Sequence, residues 1–301
     1  MIRIGLVDFD TSHVQAFTQR LNHVDVPESE WVEGAKIVAG YPGVSDMMPE
    51  RIPGYRDKLA GYGVEIVESP AELIGKVDAV MVESQQGSKH LAHARLFLEA
   101  GLPVFVDKPF VNALADADVM INVAQKKGIP LMSCSSLRYD PTVQAARTKQ
   151  SELGQLLSAD VWTPASLHEG NPGMLHYGIH GVEMLYALTG AGCQSVSMAF
   201  TEQSEVASGI WSSGQVGTVR GIRAGHGGMG FVAHYEKGQA SFFVEGAAFY
   251  RELLKQIVAM FQSGEPPIPY AEMREIVAFI IAAEDSRTAG GASVPLRGVE
   301  K

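Results

Sequence analysis

Three groups of residues carry side chains able to do chemistry. The first is Lys108, in Val104-Phe105-Val106-Asp107-Lys108-Pro109-Phe110, where an ammonium follows an apolar run on a turn that proline restricts. The second is His176 and His180, four apart, a spacing that puts both imidazoles on one face if the segment is helical. The third is the run Asp8-Phe9-Asp10-Thr11-Ser12-His13, directly after the apolar N-terminal segment. Oxidation of a secondary alcohol by hydride transfer needs a base at the hydroxyl and a cation for the developing alkoxide. Lys108 can supply the cation or share the proton. His180 can be the base, because an imidazole titrates near neutrality. The histidine pair could also hold a metal, with Glu183, Glu169 or Asp10 completing the set. An HxxxH spacing alone specifies little, so no metal is assigned. Each group has a plain structural counterpart: a solvated Asp-Lys-Pro loop, a satisfied core histidine, a set of helix caps.

Residues 1–133 must position the first and third groups. Short β-rich runs at Ile2–Val7, Lys36–Ala39, Val64–Val67, Val77–Val82, Pro103–Val106 and Pro130–Ser133 alternate with helical spacing, as in Leu91–Leu98 and Ala113–Ala124. Near-continuous apolar strands separated by helices predict a parallel sheet covered on both faces. The expected fold is therefore α/β: an N-terminal Rossmann-type doubly wound sheet with its crevice at the strands' carboxyl ends. Residues 134–301 read differently. Helices are expected at about 141–150 and 173–189, and strands near 155–163, 193–201, 205–212, 215–222, 230–236 and 239–246. Ser213-Gly214 and Lys237-Gly238 are read as hairpin turns, and two helices close the chain at about 248–263 and 271–288. That order predicts a C-terminal α+β domain with a mainly antiparallel open sheet.

A dinucleotide fingerprint needs three glycines after the first strand. Asp8, Asp10 and His13 hold those places here. Two carboxylates at a helix N-terminus repel a pyrophosphate unless they turn away or carry a cation. The acid expected to hold the adenosine ribose is also missing, where the chain reads Gly40-Tyr41-Pro42-Gly43. Ser12-x-x-Gln15 fits a capping box, so Asp10, Thr11 and Ser12 read equally as caps. The amides of Thr11, Ser12 and His13 still offer a helix N-terminus to a phosphate. Ser84, Gln85 and His90 follow the fourth strand and face the crevice, whereas His93 reads as packing. A literal G-x-G-x-x-G at Gly225, Gly227 and Gly230 lies between two strands, so it reads as a loop, and His226 within it as solvated.

Three later segments together resemble the Gfo/Idh/MocA family of sugar and polyol oxidoreductases. Val104–Phe110 is similar to that family's Glu-Lys-Pro motif. Leu137-Arg138-Tyr139-Asp140-Pro141 is similar to the motif that opens its second domain. His176-Tyr177-Gly178-Ile179-His180-Gly181-Val182-Glu183 is similar to its Asp-x-Gly-x-His-x-x-Asp helix. The tail Ser263-Gly264-Glu265-Pro266-Pro267-Ile268-Pro269 matches too. The resemblance implies an NAD- or NADP-dependent enzyme acting on a hydroxyl or keto group of a sugar, cyclitol or related small molecule. It places Lys108 beside the nicotinamide and His180 as acid/base. His176 stands where the family has a helper Asp, and Glu183 where a second acid is usual. Cofactor contacts are then expected from Asp8, Asp10, Thr11, Ser12, His13, Tyr41, Ser84, Gln85, His90 and Lys108. Arg138, Tyr139 and Glu183 are expected on the substrate.

The 301 residues carry a net charge of −10 without a Lys/Arg cluster, so nucleic acid and anionic membrane are not expected partners. No apolar run is long enough to cross a bilayer, no leader pattern is read at the start, and two cysteines form no CxxC, so the cytoplasm is expected. The open sheet of the second domain has a face needing cover and the resemblance implies pairing there, so a homodimer or homotetramer is expected. Two other functions stay open: a non-redox lyase, epimerase or hydrolase on a sugar-like substrate, possibly metal-assisted, and a ligand-binding relative without turnover.

Overall fold

The computed structural model describes residues 1–245 and 248–298. The chain divides into two compact units: Met1–Cys134 with Tyr250–Tyr270, and Ser135–Phe249 with the chain from Ala271 on.

In the first unit, β1 (Ile2–Val7), α1 (His13–Asn22), β2 (Ala35–Tyr41), α2 (Ile52–Gly61), β3 (Glu65–Ile66), β4 (Ala79–Val82), α3 (His90–Glu99), β5 (Val104–Val106), α4 (Leu114–Lys127) and β6 (Leu131–Ser133) follow in order. The sheet runs β3-β2-β1-β4-β5-β6 and is parallel throughout. Every residue of β4 and β5 is buried, which is why these strands read as unbroken apolar runs. The chain leaves β1 toward β2 on one side and returns at β4 on the other. That reversal opens a crevice above the carboxyl ends of β1 and β4.

The second unit contains α5 (Pro141–Thr148), α6 (Gln150–Leu153), β7 (Leu156–Pro164), α7 (Ile179–Thr189), β8 (Cys193–Phe200), β9 (Ser204–Trp211), β10 (Val216–Ile222), β11 (Gly230–Tyr235) and β12 (Gly238–Phe243). Then come α8 (Ala248–Ser263), whose length from Tyr250 groups with the first unit, α9 (Tyr270–Thr288), and β13 (Val294–Pro295). The sheet order is β12-β11-β7-β10-β9-β8-β13. All neighbours are antiparallel except β7 and β10. Both expected hairpins form, at Ser213-Gly214 between β9 and β10 and at Lys237-Gly238 between β11 and β12. Of the literal G-x-G-x-x-G, Gly225 and Gly227 lie in the loop joining β10 and β11 and Gly230 opens β11, so the motif leads into a strand and not a helix. Helix α7 lies close on β7 and β10: a Cβ at position 181 would stand 2.7 Å from Val219 Cγ1 and 2.8 Å from Thr163 Cγ2, so glycine is required there.

The expected helix from 173 to 189 is corrected. Gly173–Leu175 make a 3-10 turn and α7 begins only at Ile179. The chain folds back between them so tightly that a Cβ on Gly178 would sit 3.0 Å from the Met174 Cα. No helix among the described residues is long and apolar enough to cross a membrane.

Candidate active site

Strand ends deliver the polar groups of the first unit. The sheet's hydrogen bonding runs one residue past each strand: the Glu83 amide donates to the Val7 carbonyl at 2.8 Å and the Asp107 amide to the Val82 carbonyl at 2.8 Å. Glu83 and Asp107 are fully buried and His13, the first residue of α1, is 6% exposed. His13 Nδ1 lies 2.9 Å from Asp107 Oδ2 and 4.0 Å from Glu83 Oε2, and its ring stacks on Phe17. Lys108 is 8% exposed, with Nζ 3.4 Å from Asp107 Oδ2. Lys108 is thus part of a buried ion cluster, which excludes the solvated-loop alternative.

The cluster divides its protons unequally. Burial, and then the Asp107 charge, push the Glu83 carboxyl well above its ordinary value. Burial acts on Asp107 in the same sense, but the His13 and Lys108 charges outweigh it and hold that carboxyl below its ordinary value.

The first turn keeps a glycine's backbone without a glycine. Asp8 has φ 66, the left-handed conformation that favours glycine and, among other residues, Asp and Asn. Its carboxylate accepts from the Ser84 hydroxyl and lies 2.9 Å from His93 Nδ1. His93, expected as packing, is therefore a polar partner of the turn. Asp10 accepts from Ser45 Oγ at 2.6 Å and from the Gln85 amide at 2.9 Å. The capping box does not form: Ser12 has helical backbone angles and no side-chain cap bond. Thr11 Oγ1 takes the His13 amide at 3.4 Å instead, and both Asp8 and Asp10 are 2% exposed. Asp10 thus bridges loops after β2 and β4 and caps nothing.

His90 leaves the set of ligand contacts. It is fully buried, and its ring nitrogens lie 2.7 Å from the Ser84 carbonyl and 3.0 Å from that of Phe110, so it pins two loops and has no face for a ligand. Tyr41 borders a cavity of about 350 Å³ that is also lined by Pro42, Gly43, Arg56, Ile66 and Glu68.

In the second unit His180 is the second residue of α7, 8% exposed, and its Nδ1 lies 2.6 Å from the Ser135 hydroxyl. Ser135 Oγ also takes the Leu137 amide at 3.2 Å, so the hydroxyl is fixed and in turn fixes the imidazole. Sequence reasoning missed Ser135, which has no signature of its own. His176 does not share a helix face with His180, because it lies in the turn before α7, 5.4 Å from the His168 ring, centre to centre. The metal alternative on that pair has no geometric support: among the described residues, His13, Glu83 and Asp107 are the group with metal-ligand spacing.

Arg138 and Glu183, expected on the substrate, pair with each other. Arg138 Nε donates to Glu183 Oε2 at 2.9 Å and Nη2 lies 2.6 Å from Glu272 Oε1, all three residues being buried. Burial raises the Glu183 carboxyl above its ordinary value, against the lowering by Arg138. Tyr139, half-buried, ends the neighbouring 3-10 turn.

Residues 41–134 match the profile described as "Oxidoreductase family, NAD-binding Rossmann fold", the Gfo/Idh/MocA profile. This segment, under a third of the chain, is similar to the Gfo/Idh/MocA family. It is 27% identical over 187 residues to UDP-N-acetylglucosamine 3-dehydrogenase of Acidithiobacillus ferrooxidans, covering 60% of this chain and 58% of that one. It is 30% identical over 117 residues to D-apiose dehydrogenase of Paraburkholderia graminis, covering 38% and 29%. The chain thus spans less than two thirds of the curated relatives it matches. Among solved structures, myo-inositol dehydrogenase from Lactobacillus casei in complex with NAD(H) and myo-inositol superposes with TM-score 0.81 at 16% identity, covering 100% of this chain and 98% of that one. A myo-inositol dehydrogenase from Corynebacterium glutamicum gives 0.80 at 17%, covering 99% and 100%. The fold shared with these two structures extends over both units.

The first turn fits a dinucleotide in its backbone. Residue 8 keeps the left-handed conformation, both aspartates are spent on internal contacts, and no Ser12 side chain caps α1. Across the crevice, Lys89 holds the loop after β2 through the Val44 carbonyl at 2.8 Å and Asp46 at 3.1 Å. Asp46 is 75% exposed, and a pair of that kind costs little to open.

Proposed function

We propose that this protein is an oxidoreductase that interconverts a hydroxyl and a keto group on a sugar, cyclitol or related small molecule with NAD or NADP. The observation that carries this is Lys108, a buried ammonium seated on an ionised Asp107 at the carboxyl end of β5, within a chain of Gfo/Idh/MocA type. Thr11, Ser12 and His13 at the start of α1, with Gln85 and the Tyr41 side of the crevice, would hold the dinucleotide; its nicotinamide supplies the hydride acceptor or donor when bound. His180, oriented by Ser135, is assigned the acid/base role that the family resemblance gives it. Lys108 stabilises the developing negative charge on oxygen. His176 and Tyr139 are assigned to orient the substrate. The exposed apolar residues of the second sheet, Leu157, Ile210, Val216 and Phe243, suit a homodimer or homotetramer, and the cytoplasm is the proposed location.

Calorimetry with NAD, NADH, NADP and NADPH tests the cofactor. Saturable binding of one pair is expected; absence of binding by all four overturns the redox proposal. Lys108→Ala and His180→Ala should each cut turnover by at least ~10²-fold with circular dichroism unchanged. Loss of folding in both would assign these residues to structure instead. A second function, a non-redox lyase or epimerase on a similar substrate, is favoured by the filled glycine positions at Asp8, Asp10 and His13.

A further inference from the structure

Nothing in the hydride-transfer chemistry uses Glu83. Its carboxyl ends the apolar run of β4, is fully buried, and neither of its oxygens has a hydrogen-bond partner. Asp107 Oδ1, also fully buried, is unpartnered as well. Buried polar atoms are nearly always satisfied, so three orphaned oxygens on the two carboxyls beside His13 require an explanation.

We infer that His13, Glu83 and Asp107 form a site for one divalent first-row metal ion. Their ligating atoms all lie within 4.8 Å of one another. An ion about 2.1 Å from each donor holds those donors roughly 3 to 4 Å apart, close to the observed spacing. Glu83 and Asp107 follow the neighbouring strands β4 and β5, His13 opens α1 after the adjacent β1, and the sheet's own hydrogen bonds hold the backbones of Glu83 and Asp107. An imidazole nitrogen with two carboxylates suits zinc, manganese or iron better than magnesium or calcium, which prefer oxygen alone. The ion would satisfy the orphaned oxygens and stand beside Lys108. The same three side chains occupy positions where the sequence departs from a glycine fingerprint or ends an apolar strand, so the departure has a use. The site does not depend on a dinucleotide being bound.

The test uses the full chain, stripped with a chelator and then titrated with zinc or manganese chloride in the absence of nucleotide. One equivalent is expected by calorimetry and native mass spectrometry. Glu83→Gln and Asp107→Asn should weaken binding by at least ~100-fold, more than loss of an outer partner of a ligand costs. If the variants misfold, wild-type protein loaded with cobalt gives a separate readout. Visible bands of a low-coordinate nitrogen and oxygen site support the inference; bands of hydrated cobalt alone overturn it. Absence of saturable binding at millimolar metal, or unchanged affinity in both variants, also overturns it and makes the cluster a proton-sharing ion network.

Discussion

Asp10 shows how one carboxylate changes meaning with its surroundings. At a helix N-terminus it would compete with a phosphate, but here it accepts from Ser45 and the Gln85 amide and is buried. Burial, opposed by those two hydrogen bonds, leaves its carboxyl above the ordinary value. A carboxyl raised in the folded state contributes stability below its unfolded pKa of about 3.9 and loses it as pH rises through the folded value. Asp10→Asn removes that titration. The wild-type advantage in Tm over the variant should therefore be larger near pH 4 than near pH 7, as read by scanning calorimetry across that range. An unchanged or widening gap would contradict the burial of the charge. His90 carries the complementary lesson: its place after β4 was legible in the sequence, but only contacts with two carbonyls reveal a pin.

At the scale of elements, α7 and the 3-10 turn over Ser136–Tyr139 are joined by the Arg138 network. One guanidinium compensates two buried carboxylates from α7 and α9. Arg138→Ala leaves both uncompensated and should lower the unfolding free energy by about 3–5 kcal/mol, measured by urea denaturation. A loss near zero would mean that Glu183 and Glu272 reach water or take up protons freely. The motif containing Arg138 was legible, and so was the helix bearing His180. The partners were not, because hydrogen bonds across 45 residues leave no local periodicity. The start of α7 also escaped pattern reading: apolar spacing continues through 173–178 while the backbone turns back at Gly178.

For the whole molecule, each unit contains one buried cysteine, Cys134 in the first and Cys193 in the second. Burial, reinforced by the Glu275 charge, pushes the Cys193 thiol up to about 12. Native protein near pH 8 should react with an aromatic disulfide reagent ~10³-fold or more slowly than unfolded chain, since reaction must await opening. Mass spectrometry during denaturation then tells whether the two units open together or separately; rapid labelling of native protein would contradict the burial.

The sequence by itself determined the alternation of elements, the parallel and antiparallel sheets, both hairpins and the order of the motifs. Those are consequences of periodicity and turn chemistry, which are local. Only the tertiary structure decided the state of the side chains in the first turn, the orientation of His180 by Ser135, and the meeting of His13, Glu83 and Asp107. Those depend on which strand ends lie side by side, and a strand order of β1-β4-β5 brings together residues about 70 to 95 positions apart.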